Sequence, residues 1–398
     1  MVGTKETEHI FSNLIRTGTV FAIPSASLST LPTRWFSLFW LLMVSVVGTI
    51  LWSIEEREAG AAPYQGFGAT TPGGAGQEAV HVTTLADAGP GSLREALSKG
   101  NRTIVFDVGG TITLSQIIAV KGAFITIDGF TAPPPGITLV NAGLRLAGTD
   151  NTHDIIVQGL RIRSPIGDGI TVRDSAFNIV IDHVSIQGAS DDALDVTQNA
   201  SDVTIQWSIL AESVPTHNFV SLVEYQALRV TFHHNLFVRG QSRNPHSGWD
   251  STLTTLPPDT VTDIRNNLIW NFLDYGTVIR NNTTSNVVQN LYYSATEPSA
   301  NRALRVSNGG KVYAQGNYSL NGANIDGQGN HKQPFLAVPV DTTDACTAAQ
   351  QVVAMVGARP LDAIDQQYLS AITLPSAPCK DSSTPTDTPP KKKKKKKT

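Results

Sequence analysis

From residue 63 onward, short alternating runs of apolar and polar residues recur along the chain. The pieces "DIIVQGLRI", "NIVIDHVSI", "DVTIQWSIL" and "RVTFHHNLF" each join a period-two run to a polar turn and a second short run, the pattern of half-buried strands. Their second positions, Ile155, Ile179, Val203 and Val230, are spaced by 24, 24 and 27 residues. Weaker copies follow in "TDIRNNLIW", "NVVQNLYY" and "KVYAQGNYS", where Asn235, Asn267, Asn290 and Asn317 fall near equivalent turn positions. A unit this short cannot bury its apolar face alone, whereas stacked units share one continuous core. The spacing therefore predicts an all-β chain coiled as a parallel β-helix, with residues of equal offset in columns about 4.8 Å apart and the asparagines bonding one another. A propeller blade needs about 40 residues and a leucine-rich repeat a fixed leucine pattern, and this chain has neither.

Such a stack needs covered ends. "GPGSLREALSK" holds Ser92-x-x-Glu95, a capping-box pattern that opens a short helix and would close the N-terminal end. "AAQQVVAMVGARPLDAIDQQYL" reads as an amphipathic helix plus an extended segment lying over the stack. Near the start, Trp35 to Ile54 is twenty residues without a charge, enough to span about 30 Å of hydrocarbon. Lys5, Arg16 and Arg34 precede it and Glu55, Glu56 and Glu58 follow, a bias that places the bulk of the chain outside the membrane. The expected organisation is a cytoplasmic or leader segment (1–34), a membrane anchor or signal core (35–54), a linker (55–62), the β-helix (63–375) and a disordered Pro, Thr and Lys-rich tail (376–398). The protein is then secreted or anchored at the cell envelope, attached to the membrane only through its N-terminal segment. In that setting Cys346 and Cys379, its two cysteines, are expected to form one disulfide.

Composition sharpens this picture. With 33 glycines, 22 prolines and 16% charged residues, the chain suits short strands and tight turns rather than long helices. Seven of its 30 basic residues form the run Lys391 to Lys397, so the rest of the chain carries 23 basic against 33 acidic groups. An acidic body excludes nucleic acid as a partner, since phosphate binding needs a basic face.

The columns gather candidate chemistry. Thirteen residues beyond the four repeat positions lie Asp168, Asp192 beside Asp191, Thr216 beside His217, and Arg243. Several carboxylates within two coils repel one another unless a cation neutralises them, and oxygen donors without cysteine favour calcium, with Asp168, Asp191 and Asp195 as the core set and Asp192 adjacent. Asp174, Asp182 and Asp202 read instead as turn caps. His217, His234 and His246 are candidates for substrate binding, and a zinc site built from them is not demanded by their spacing. Trp207, Trp249 and Trp270 could stack on sugar rings or pack in the core.

"GFGATTPGGAG", "GPGSLREAL", "IVFDVGGTITL", "ITIDGFTAP", "IDHVSIQGASDDALDV", "FHHNLFVRGQSRNPH" and "GARPLDAID", in that order over residues 64 to 370, resemble the pectate lyases. The resemblance implies a right-handed parallel β-helix and β-elimination of an acidic uronate polymer with Ca2+ as cofactor; separately, the chain is expected to act as a monomer. It implies Asp168 of Gly-Asp-x-Ile and Asp191 and Asp195 of Asp-x-x-x-Asp as calcium ligands, and Arg243 of Arg-x-Pro as the base. Two positions depart from the family pattern. Phe219 stands where a lysine follows the histidine of His-x-Lys, and His246 stands where a second arginine follows the proline. Two other readings use the same residues: a polygalacturonase-like hydrolase with an aspartate cluster as acid and base, and a non-catalytic polysaccharide-binding β-helix of the envelope.

Overall fold

The computed structural model describes residues 64–249, 257, 259–296 and 299–379. The chain divides into two units, Met1–Pro63 and Tyr64–Thr398. The first unit, and with it the segment Trp35 to Ile54, lies outside the described residues, as does the lysine-rich tail. No helix among the described residues is long and apolar enough to cross a membrane.

The repeat becomes a right-handed parallel β-helix, the hand taken by nearly all connections between parallel strands. Among the described residues, 27 strands fall into three parallel sheets of ten, nine and eight strands. In the first sheet Ile155 pairs with Ile179, Ile179 with Val203 and Val203 with Val230, so the 24- and 27-residue spacings are coil lengths. The inward residues of all three sheets make one core, in which Ile155, Ile179, Val203, Val230, Phe232 and Ile264 are fully buried. Apolar burial at about 25 cal/mol per Å² is the main favourable term here, shared coil by coil.

The turns between the first and second sheets are held by the asparagine column. Oδ1 of Asn235 accepts from the Ser208 backbone N–H at 2.9 Å. Nδ2 of Asn235, Asn267 and Asn290 each donates to Oδ1 of the next asparagine at 3.0 Å, and Asn317 ends the series by donating to Asp326 at 2.8 Å. Each amide also satisfies backbone groups that turn away from the sheets, as buried polar groups require.

Both ends are covered. At the N-terminal end the short helix Leu93–Ala96 starts from Ser92, whose Oγ accepts from the Glu95 N–H, while Glu95 accepts from the N–H of Gly91 rather than of Ser92. The C-terminal segment crosses the second sheet through helices Ala345–Met355 and Ala363–Ser370. Its apolar face completes a second cluster with Trp207, Ile209, Leu236, Leu268 and Trp270. Arg163 of the second sheet pairs with Asp362 at 2.9 Å and Asp365 at 2.8 Å, and the Cys346–Cys379 disulfide joins the segment to itself.

Some expectations about single residues are corrected. Asp174, Asp182 and Asp202 do not act as turn caps but pair with side chains: Arg173, His183 with Gln206, and Arg229 respectively. Trp207, Trp249 and Trp270 are at most 7% exposed and pack in the interior, leaving no face for a sugar.

Candidate active site

The acids and Arg243 meet at the corner where chain passes from the second sheet to the third. Asp168 and Asp192 each stand two residues before a third-sheet strand, Ile170–Arg173 and Leu194–Val196, and the pairing of Ile170 with Leu194 sets them side by side. On the next coil Leu194 pairs with Ser221, so Phe219, not Thr216, stands opposite Asp192. That coil is longer, and the extra residues form the turn Pro215–His217, which swings His217 back over the acids. One coil further, Phe219 bridges to Ser242 while Leu222 pairs with His246. The chain therefore carries one extra residue there, and a bulge of this kind re-aims the side chain it holds. Arg243 sits in it with φ at 61°, a left-handed conformation uncommon for a residue with a Cβ. Asn244 fixes the turn, its Nδ2 donating to the Tyr275 carbonyl at 2.9 Å.

Nη1 of Arg243 donates to Oδ2 of the fully buried Asp192 at 2.8 Å, and the guanidinium lies 4.3 Å from the centre of the Phe219 ring. His217 presents Nε2 to Asp191 at 2.8 Å and to Asp192 at 3.1 Å, with its ring edge-on to Phe219. Asp168 accepts from the Asp192 N–H at 3.1 Å and from the Thr171 hydroxyl at 2.8 Å. Burial, with the charges of Asp191 and Asp192 adding to it, pushes the Asp168 carboxyl up to about 6. Asp195, 8% exposed, accepts from the Leu222 N–H; burial first, then Asp192 and Asp168, raises it well above the usual carboxylate range. Both shifts come chiefly from burial, with neighbouring carboxylates adding to it. Asp191, Asp192 and His217 bring donor atoms within 4.8 Å of one another, and the four acids offer the hard oxygens that calcium takes.

Downstream of Arg243 the corner opens into a cleft of about 280 Å³ lined by Phe219, Arg243, His246, Tyr275, Arg280 and Arg305, among others. His246 faces it from the third sheet, 4% exposed, with Nε2 lacking a partner. Burial, with Arg280 and Arg243 nearby, pushes its imidazole down to about 3, so it is neutral at ordinary pH. Gly248 leaves room beside it: a Cβ there would come within 2.9 Å of Glu224 Oε1 and 3.1 Å of His246 Nε2.

The structure thus brings Asp168, Asp191, Asp192, Asp195, His217, Arg243 and His246 to one corner. It does not bring His234 there. His234 lies at the corner between the first and second sheets, 6% exposed, its ring 4.3 Å from that of Trp207 and its Nδ1 3.0 Å from His233. A three-histidine zinc site is excluded by that separation. Arg280, Arg305 and Tyr275 were not found from offsets, because the coil lengths change: asparagines of the ladder are 32 residues apart between 235 and 267 but 23 apart between 267 and 290.

No protein-family model matches the chain. It is 30% identical over 334 residues to the "Probable pectate lyase C" of Aspergillus terreus, covering 77% of this chain and 75% of that protein. Against the "Probable pectate lyase C" of Emericella nidulans it is 31% identical over 259 residues, 64% of this chain, and spans 58% of that relative's length. Among solved structures it resembles the major allergen of cedar pollen (TM-score 0.57, 20% identity, 74% of this chain and 92% of that one). It also resembles a Bacillus pectate lyase in complex with trigalacturonate (TM-score 0.55, 20% identity, 74% and 98%). These two share its fold.

Proposed function

The chain belongs to the pectate lyase family, and from that membership we propose that it is a calcium-dependent polysaccharide lyase that cleaves pectate or a related uronate polymer by β-elimination. The observation that carries the reading is the meeting, at one corner, of four aspartates with Arg243 beside an open cleft. Asp168, Asp191 and Asp195 would hold the calcium, with Asp192 beside them, and the raised carboxyls of Asp168 and Asp195 suit that role. Held by these residues, the ion would supply the Lewis-acid charge that makes the proton at C5 more acidic. It also lets an acidic body accept an anionic chain.

The protein's own groups prepare the rest. Asp192 and the Phe219 ring hold the Arg243 guanidinium at the mouth of the cleft. In this reading neutral Arg243 takes the C5 proton at a nitrogen other than the Nη1 bonded to Asp192. The C5 electron pair forms the double bond to C4, and the glycosidic oxygen leaves with a proton from solvent. His217, also bonded to Asp192, helps keep that buried carboxylate partnered. Residues 63–375 are the catalytic unit in this reading, working as a monomer. The disulfide supports an extracytoplasmic setting, where such bonds persist, and Trp35 to Ile54 would anchor or export the chain.

The test is to incubate the protein with polygalacturonate and related acidic polymers, with and without chelator, and follow the ultraviolet absorbance of unsaturated ends. Calcium-dependent absorbance is expected, and Arg243→Lys should abolish it. New reducing ends without absorbance would mean hydrolysis. Binding without cleavage would favour the non-catalytic polysaccharide-binding reading, which Phe219 and His246 support by standing where the family has cations.

A further inference from the structure

Beyond the acids and Arg243, the third sheet presents a second set of polar groups. His246 pairs with Val278 and Val278 with Arg305, so these three stand in one column on three successive coils. Arg280, two residues beyond Val278, points from the same outer face, while Ile279 between them is buried in the core. We propose that His246, Arg280 and Arg305 form a carboxylate-binding subsite that takes the unesterified uronate of a sugar unit next to the one cleaved. This deepens the lyase reading and rests on it.

Three features argue that the groups are arranged for a ligand rather than for one another. His246 lines the cleft and is 4% exposed, and its Nε2 has no hydrogen-bond partner. An unmet buried nitrogen costs about 1–3 kcal/mol, a cost that a bound oxygen would remove. Nε of Arg280 is likewise buried without a partner, and its Nη2 makes only a 3.4 Å contact with Glu224. Arg305 has no carboxylate partner among the described residues; its guanidinium lies 4.5 Å from the centre of the Tyr275 ring. The other face of the choice is charge. Of the cleft's arginines, Arg243 is paired with Asp192 and Arg280 with Glu224, which leaves Arg305, among the described residues, as the one without a carboxylate partner.

A forked guanidinium matches a carboxylate's two oxygens. The rings of Phe219 and Tyr275 and the Val278 side chain offer apolar wall for the face of a sugar. A methyl ester would present neither the charge nor the second acceptor, so the subsite selects unesterified units. It supplies, from later coils, the cations that Phe219 and His246 displace from the family pattern.

The test measures binding of trigalacturonate and of its fully methyl-esterified form to the full chain by calorimetry, in calcium, for the parent, Arg305→Ala and His246→Gln. Arg305→Ala should weaken the unesterified ligand about tenfold, as for loss of one charged hydrogen-bonding partner, and leave the ester unchanged. In turnover it should raise KM and leave kcat unaltered. Equal melting temperatures for Arg305→Ala and the parent ensure that the effect is not unfolding. Arg305-dependent binding without unsaturated ends would keep the subsite and remove the lyase. Unsaturated ends with unchanged affinity in both variants, equal affinity for the ester, or no binding of the unesterified ligand would overturn the subsite.

Discussion

Two adjacent carboxylates, Asp191 and Asp192, meet opposite surroundings. The Asp191 side chain is 57% exposed, whereas that of Asp192 is fully buried and bonded to both Arg243 and His217. Asp192 therefore belongs to the machinery that holds Arg243, while Asp191, paired with His217, stands exposed at the surface of the corner. Asp168 gives this corner a pH signature. Its carboxyl is pushed from the ordinary 3.8 up to about 6, so the fold holds that proton more tightly than the unfolded chain does. In calcium-free protein its contribution to stability is full below about pH 4 and is lost as pH rises through 6. Calcium needs the ionised form, so its stabilising effect follows the opposite course. The expected outcome is a calcium-induced rise in Tm that is small at pH 4, grows through pH 6 and levels off above it. Scanning calorimetry with calcium and with chelator across that range checks this, and an equal rise at pH 4 would remove Asp168 from the ligand set.

At the scale of elements, the asparagine ladder shows how a coil is pinned. Asn267 is 1% exposed; its Oδ1 accepts from the Asn235 N–H and Nδ2, and its own Nδ2 donates to the Phe232 carbonyl and to Asn290. Asn267→Ala would leave a buried N–H (Asn235) and a buried carbonyl (Phe232) without partners on the preceding coil. A loss of about 3 kcal/mol is expected, from about 1–3 kcal/mol for each unmet group, read from urea denaturation. A loss below about 0.5 kcal/mol, the level of a surface change, would mean that water replaces the amide. The ladder was legible beforehand because each asparagine meets its counterpart at the same place in the coil. His246 was legible as a candidate, but Arg280 and Arg305 were not, since they follow the long coil and their offsets no longer repeat.

At the scale of the molecule, the C-terminal segment is, like the segment from Tyr64 to Gly74 on the first sheet, a long-range tie laid over the repeat. It covers apolar residues of the second sheet and reaches Arg163 from 199 residues away. The disulfide closes a loop with a separation of 33 residues, for which chain entropy gives about 3.5 kcal/mol at 25 °C. Replacing Cys346 and Cys379 together by Ala should lower stability by about that amount while leaving a single cooperative transition, because the helices keep their packing on Trp207 and Trp270. Guanidinium denaturation of the oxidised protein and the double variant checks this. A new early transition would show that the segment depends on the disulfide to stay docked.

The sequence by itself determined the stacking, the coil length of the first sheet, the asparagine column, the capped helix at Ser92 and the approach of the aspartates to Arg243. These are relations between one coil and the next, and a parallel stack repeats them at a fixed offset. Only the tertiary structure decided that Asp192 grips Arg243, that Phe219 lies beneath it, that His234 turns to another corner, and that later coils bring arginines to the cleft. His234 follows from its place just past the end of a first-sheet strand, whereas the others depend on an insertion or bulge that changes the length of a single coil. Such a change shifts every later side chain by an amount the repeat does not contain, and only packing against the neighbouring coil resolves where it goes.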